Sequence, residues 1–177
     1  MPLVQYVVAA ALDSGLSRVV VVLGNESERV RAALAPLDRD GRLEFVVNEA
    51  FADGQSTSVT AGLNAIGEGA SAVMFLLGDQ PAVTGTTLDR LIKAFEESDR
   101  TICLPTWEGR RRNPVIFGAR HFSALQALTG DAGGRSVIEA NPDEVTAVPF
   151  DNEMLFRDVD REDDLAELER MTEDTRS

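Results

Sequence analysis

At 177 residues, with 44% hydrophobic and 27% charged side chains, the chain has material for one full-sized core and too little for two, so a single domain over 1–177 is expected. The 17 basic against 30 acidic residues leave a net charge of -13, which argues against nucleic acid and anionic membrane as partners but leaves room for a small phosphorylated ligand where metal and local arginines offset the field. Lone Cys103 excludes an internal disulfide and lone His121 a Cys/His metal cluster; with no apolar run near the roughly 20 residues of a membrane span and no visible signal peptide, a cytoplasmic setting is expected.

Residues 3–12 carry apolar side chains around most of a helical surface, and Gly15 stands in C-cap position. Residues 18–24 form a β-branched strand, Asn25 is expected to cap a helix reaching about residue 35, and 43–47 is a second strand followed by Asn48. Residues 57–66 read as a helix opening from Asp53-Gly54-Gln55-Ser56, and 72–77 as a buried strand. Thr84 caps an amphipathic helix through Leu88, Leu91, Ile92 and Phe95, and 101–104 is a short strand ended by Pro105. Short strand and helix in alternation predict a parallel sheet with helices on both faces.

Past residue 105 the rhythm changes. Residues 108–113 are a basic, turn-rich loop, 114–117 an apolar segment, and 119–128 a helix. The stretch 129–135 is too glycine-rich for regular structure. One or two helical turns at 136–140, strands at 145–148 and 157–160, a helix at 163–171 and a frayed tail at 172–177 complete the expected order.

Four places could carry chemistry. Gly78-Asp79-Gln80-Pro81 brings a carboxylate to a strand's C-terminal end, where open α/β sheets bind ligands; a turn closed by Asp79 is the competing reading. Asp158 and Asp160 share a face if 157–160 is a strand, and Mg²⁺ needs only one or two protein carboxylates; taken alone, such a pair near a helix N-terminus is more commonly a cap and a dipole partner. Residues 53–58 combine a glycine and small hydroxyls ahead of a helix, a place for an anion or a base carbonyl, or an ordinary cap. The basic run Arg110-Arg111-Arg112-Asn113, with the glycine-rich loop ending at Arg135, is either a patch for phosphate or another anion or a solvated turn that pairs with surface carboxylates; long glycine-rich connections tip it toward binding.

Taken in order, 54–63, the strand leading into Gly78-Asp79-Gln80-Pro81, 112–117, 130–135 and 158–165 resemble the nucleotidyltransferases of the molybdenum-cofactor cytidylyltransferase and guanylyltransferase type, from about Pro2 to Glu169. The resemblance implies a Rossmann-like, mostly parallel sheet in a three-layer sandwich. It implies transfer of a CMP or GMP moiety from CTP or GTP to a phosphorylated molybdopterin-type acceptor, with pyrophosphate release and Mg²⁺. On that model Asp79 and Asp160 are catalytic and hold the metal, with Asp158 a less favoured ligand. Gly54, Gln55, Ser58 and Gly78 bind the nucleotide, and Arg112, Asn113 and Arg135 face the acceptor.

Three departures stand out. The family's first strand and glycine-rich triphosphate loop, with its Arg and Lys, have no counterpart here. Lys93, the only lysine, falls on the exposed side of a helix, and Asn113 replaces a histidine. Without the first strand, two buried strands would each keep an unpaired edge. Three resolutions are expected: a true start upstream of Met1, which is favoured; closure of the flanking strands on each other; or a strand lent by a second chain. A catalytically impaired nucleotide- or cofactor-binding accessory protein for a molybdenum enzyme is the alternative function, and an oxidoreductase of the same sequence family a third.

Overall fold

The computed structural model describes residues 3–159; Asp160, the expected helix at 163–171 and the tail lie outside the described residues. Helix α1 (Leu3–Leu12) buries Val7, Val8, Ala10 and Ala11. Its C-terminal end is closed by a guanidinium rather than by glycine. Arg42 donates to the carbonyls of Leu12, Ser14 (3.2 Å) and Leu16 (2.7 Å), satisfying acceptors that a helix end leaves over. Gly15 keeps a negative φ and donates instead to Asp89 Oδ1 at 2.7 Å.

Strand β1 (Val19–Leu23) pairs in parallel with β2 (Leu43–Val47) through helix α2 (Ser27–Leu34). Asn25 is not the α2 cap. Its side chain accepts the Glu26 N–H at 3.0 Å, and Glu26, at φ 54, makes the entry turn. Helix α3 (Gln55–Ile66) leads to β3 (Ala72–Phe75), and α4 (Gly85–Glu96) is capped as expected, Thr84 Oγ1 accepting the Thr87 N–H at 3.3 Å.

Strand β4 (Ile102–Trp107) runs straight through Pro105. A proline is tolerated there because its missing donor falls between two ladders: along that edge of β4, β6 (Val115–Gly118) reaches only Ile102 and Cys103, and β5 (Arg110–Arg111) only Thr106 and Trp107. The Pro105 carbonyl still accepts the Arg112 N–H at 2.9 Å. The basic loop is therefore a hairpin whose two-residue turn, Glu108 (φ 47) and Gly109 (φ 72), has the left-handed backbone that tight hairpins require. The expected helix at 119–128 is shorter, a 3-10 turn over Ala119–His121 and α5 (Phe122–Gln126), since the first turn tightens around buried His121. Helix α6 (Arg135–Ala140) and β7 (Val145–Pro149) follow, and 157–159 has no strand partner among the described residues.

The fold is α/β and Rossmann-like, with helices on both faces. One sheet piece orders its strands β3-β6-β4-β5, with β7 parallel to β4; β6 runs antiparallel to both of its neighbours. Period-2 alternation sends Ile102 and Leu104 to a core with Val59, Leu63, Leu125 and Ile138, while Cys103 turns to Leu91 and Val148 under α4. Cys103 is wholly buried, its thiol 3.7 Å from the Leu91 carbonyl, and burial pushes that thiol up to about 11. The other piece is β1 and β2 alone. The two pieces do not close on each other: among the described residues β1 pairs only with β2 and β3 only with β6. No helix among the described residues is long and apolar enough to cross a membrane.

Candidate functional site

Between the facing edges of β1 and β3 runs a cleft of about 1640 Å³, floored by α1 and roofed by α3. At its mouth it becomes polar. Gln55 and Ser58 from α3, Gly78 past β3, the hairpin arm Arg110–Asn113, and Asp131, Gly133, Gly134 and Arg135 line one opening. Side chains singled out from separate sequence motifs therefore share a single surface: Gln55, Ser58, Gly78, Arg112, Asn113 and Arg135. Arg110, Arg111, Arg112 and Arg135 gather there with Asp131 and Glu139, a local excess of positive charge in a chain of net charge -13.

The two glycine-bearing loops are docked on each other. Gly54 sits at φ 115, and a Cβ there would lie 2.4 Å from the Gly130 carbonyl carbon. Only glycine fits. The Gly130 carbonyl accepts the Ser56 N–H at 3.0 Å, so that donor of the α3 first turn serves the protein and not a ligand. Gly54 itself is not among the cleft's lining, while the Gln55 and Ser58 side chains are. A Cβ on Gly133 would meet Gln55 Oε1 at 3.0 Å, so the second loop's glycines leave space for that amide.

Ser58 is held by a residue the sequence reading passed over. Asn48, buried behind β2, donates through Nδ2 to Thr57 Oγ1 (2.8 Å) and Ser58 Oγ (3.0 Å), and its Oδ1 accepts the Ala50 N–H at 3.1 Å. The sequence shows only an amide directly after a β-branched strand; that it reaches the hydroxyls of Thr57 and Ser58 is seen only in the fold.

Asp79 is exposed just past Gly78, outside the cleft's lining proper. Its carbonyl accepts the Val159 N–H at 2.8 Å, and buried Gln80 donates from Nε2 to Asp158 Oδ1 (2.8 Å) and to the Phe156 carbonyl (3.3 Å). The 157–159 segment is thus tied to the Asp79 turn, although not as the strand expected. Among the described residues no group of three or more His, Cys, Asp or Glu side chains is placed to hold a metal; the oxygen donors of Asp79 and Asp158 have the hard chemistry that suits Mg²⁺ or Mn²⁺ and not Zn²⁺.

The arginines differ in readiness. Arg112 Nη2 donates to Glu153 Oε1 at 3.2 Å, and its guanidinium lies 5.5 Å over the Trp107 ring. Arg135 projects into solvent and donates to Glu139 Oε1 at 2.8 Å; that hydrogen bond raises the Arg135 pKa and lowers that of Glu139. An arriving phosphate would compete with two carboxylates. Lys93 is exposed on α4, 3.8 Å from Glu97, far in role from the mouth.

A family model described as the MobA-like NTP transferase domain matches residues 1–145. The chain belongs to that family. Among solved structures, Rv0371c from Mycobacterium tuberculosis H37Rv is 25% identical with a TM-score of 0.78, covering 94% of this chain and 82% of that one. The same Mycobacterium protein has also been solved in complex with manganese, at 25% identity and a TM-score of 0.75 over 94% of this chain and 84% of that one. A nucleotidyl transferase from Methanothermobacter thermautotroptrophicus shares the fold at 20% identity and a TM-score of 0.78, over 98% and 81% of the two chains. Among curated proteins, the bifunctional protein GlmU of Anaeromyxobacter sp. (strain K) is 34% identical over 105 residues, 59% of this chain and 21% of the relative. The chain spans about a fifth of the length of the GlmU relatives from Anaeromyxobacter.

Proposed function

We propose that this NTP transferase-family chain binds CTP or GTP at the cleft mouth and moves its nucleoside monophosphate to a small phosphorylated acceptor of molybdopterin type, releasing pyrophosphate. One observation carries the reading: residues from motifs spread over some eighty positions line a single basic mouth beside the Asp79 turn. Gln55 and Ser58, the latter fixed by Asn48, are suited to a base and ribose. Arg112, Asn113 and Arg135 would take the acceptor's anionic end, freed from Glu153 and Glu139 by a stronger, doubly charged partner.

In the transfer, an acceptor phosphate oxygen would attack the α-phosphorus in line while its bond to the β-phosphate oxygen breaks. The guanidiniums at the mouth would offset charge on the acceptor, and Gln55 and Ser58 would hold the nucleotide in place. Asp79, with Asp158 or with Asp160 beyond the described residues, would hold Mg²⁺, which when bound neutralises charge on the phosphate oxygens.

The experiment is pyrophosphate release from CTP and from GTP with Mg²⁺ and a phosphorylated pterin acceptor. Asp79→Ala is expected to lower release by about 100-fold or more while the fold is retained, since Asp79 is exposed. A second reading is favoured by the position of Lys93, the chain's only lysine, away from the mouth and beside Glu97: nucleotide binding without turnover, in an accessory protein for a molybdenum enzyme. Saturable CTP or GTP binding with no pyrophosphate release would select it; no nucleotide binding at all would sink both.

A further inference from the structure

Asp79 and Asp158 are both exposed; the residue that joins them is not. Gln80 keeps only 5% of its surface in solvent, and a primary amide withdrawn so far from water has to be met by hydrogen bonds. Its Nε2 donates to two acceptors on one distant segment, Asp158 Oδ1 at 2.8 Å and the Phe156 carbonyl at 3.3 Å. The main chain adds a third tie, the Val159 N–H donating to the Asp79 carbonyl at 2.8 Å. Val159 itself is 2% exposed and packs with Ala82, Leu3 and Met154. All three hydrogen bonds have one end on Asp79 or Gln80. The turn that presents one carboxylate therefore also sets the place of the other.

We propose that Gln80 is a positioning residue of the metal site: its amide holds the 156–159 segment, and with it the second carboxylate, against the Asp79 turn before a divalent cation arrives. The chemistry of the donor suits that role. An amide orients a carboxylate and leaves its negative charge in place, whereas a Lys or Arg at the same spot would offset the charge and compete with the cation. An ionised carboxylate offers about four lone-pair sites, so Asp158 can receive the amide and still bind a cation. A hydrogen bond to a ligand carboxylate is how a protein fixes the direction of that ligand. A tether with no bearing on a metal would need only the main-chain bond and the packing of Val159; the Gln80 amide instead gives its shorter bond to the carboxylate. Asp160 follows the anchored Val159 directly in the sequence, so the same clamp fixes where the chain sets out toward it. Gln80 has this role only if Asp79 and its partner carry the cation, as the proposed reaction requires.

The test titrates the full chain with Mn²⁺ alone, following free Mn²⁺ by EPR and paramagnetic broadening of backbone amides by NMR, so that no turnover is needed. In the wild-type chain, broadening is expected at Gly78, Asp79 and Gln80 together with Asp158 and Val159. Gln80→Met keeps an unbranched side chain and removes the amide. It should weaken Mn²⁺ binding about 10–100-fold, the range for losing the partner of a metal ligand, with broadening lost first at Asp158 and Val159. Gln80→Asn draws the amide back by one carbon and should fall between the two; it stands in if the Met variant fails to fold. Should neither fold, the wild-type pattern of broadening decides. A purely structural tether would lower the urea midpoint and leave the Mn²⁺ dissociation constant unchanged, and that result would overturn the proposal while leaving the nucleotide reading intact. So would wild-type broadening confined to Asp79 and its neighbours, or no Mn²⁺ binding by the wild-type chain. Mn²⁺ binding that depends on Gln80 in a chain that releases no pyrophosphate would support the role of Gln80 and sink the transferase reading alone.

Discussion

The β1–β2 pair and the β3-β6-β4 piece are built from the same kind of residue, β-branched and apolar, yet they reach different states. Ile102, Cys103 and Leu104 have at most 1% of their surface exposed, Ile102 and Cys103 between ladders to β6 and β7 and Leu104 laddered to β7, with helices on both faces. Val20, Val21 and Val22 stay half-buried, covered by α1 and α3 but laddered on one side only among the described residues. Burial of a strand residue thus depends on its neighbours in the sheet as much as on its own hydrophobicity. A Val-Val-Val-Val-Leu run specifies a central strand, and the fold leaves it an edge.

Mutations can sharpen that contrast. The largest expected effect is in the closed piece: Leu104→Ala empties a packed site and should cost about 2–5 kcal/mol in urea unfolding. Val21→Ala, in the open piece, should cost about 1 kcal/mol, because its site already borders the cleft. Equal losses would erase the distinction. Next comes the contact that bridges the pieces. Gly54 opens α3, which packs on β1 and β2, and Gly130 belongs to the loop after α5. Gly54→Ala must leave φ 115 or displace the Gly130 backbone, at roughly 1–3 kcal/mol, and should weaken nucleotide binding measured by titration calorimetry.

The smallest effect is one of pH. Buried His121 lies 2.8 Å from Thr101 Oγ1, which donates to Glu144 Oε2 at 2.8 Å, at the start of β4. Burial, then the nearby Arg120 charge, lowers the His121 pKa below its ordinary 6.5, against the pull of Glu144. The unfolded chain binds this proton more readily, so the stability His121 contributes is present above pH 6.5 and is lost as pH falls through its lower folded pKa. A His121→Phe variant should show a flatter unfolding free energy across that window, and the imidazole should titrate below 6.5 by NMR.

The sequence made much of this visible through local signals. Apolar periodicity located α1, β1, β2, β3 and α4, and Thr84 announced its own cap. Part of the cleft mouth was legible because glycines and arginines are chemically conspicuous, whereas Asp79 lies past the end of β3 and outside the lining. What was hidden depends on partners distant in the chain. Pro105 looked like a strand end because nothing in 101–105 reveals that its absent donor falls between two ladders. Asn25 looked like a cap because Glu26 gave no hint of a left-handed backbone. The docking of 54 on 130, and the hold of Asn48 on Ser58, join residues that only the fold brings together.

Cys103 gives the molecule a clock of its own. It is the single thiol in 177 residues, and it sits at the centre of the closed sheet piece, opposite Leu91. Burial holds its pKa up near 11, so the buried thiol stays protonated and unreactive at pH 8. Alkylation of the native protein therefore waits for β4 to part from α4, and its rate counts those openings. The open β1–β2 piece can fray, fill or empty without advancing that count.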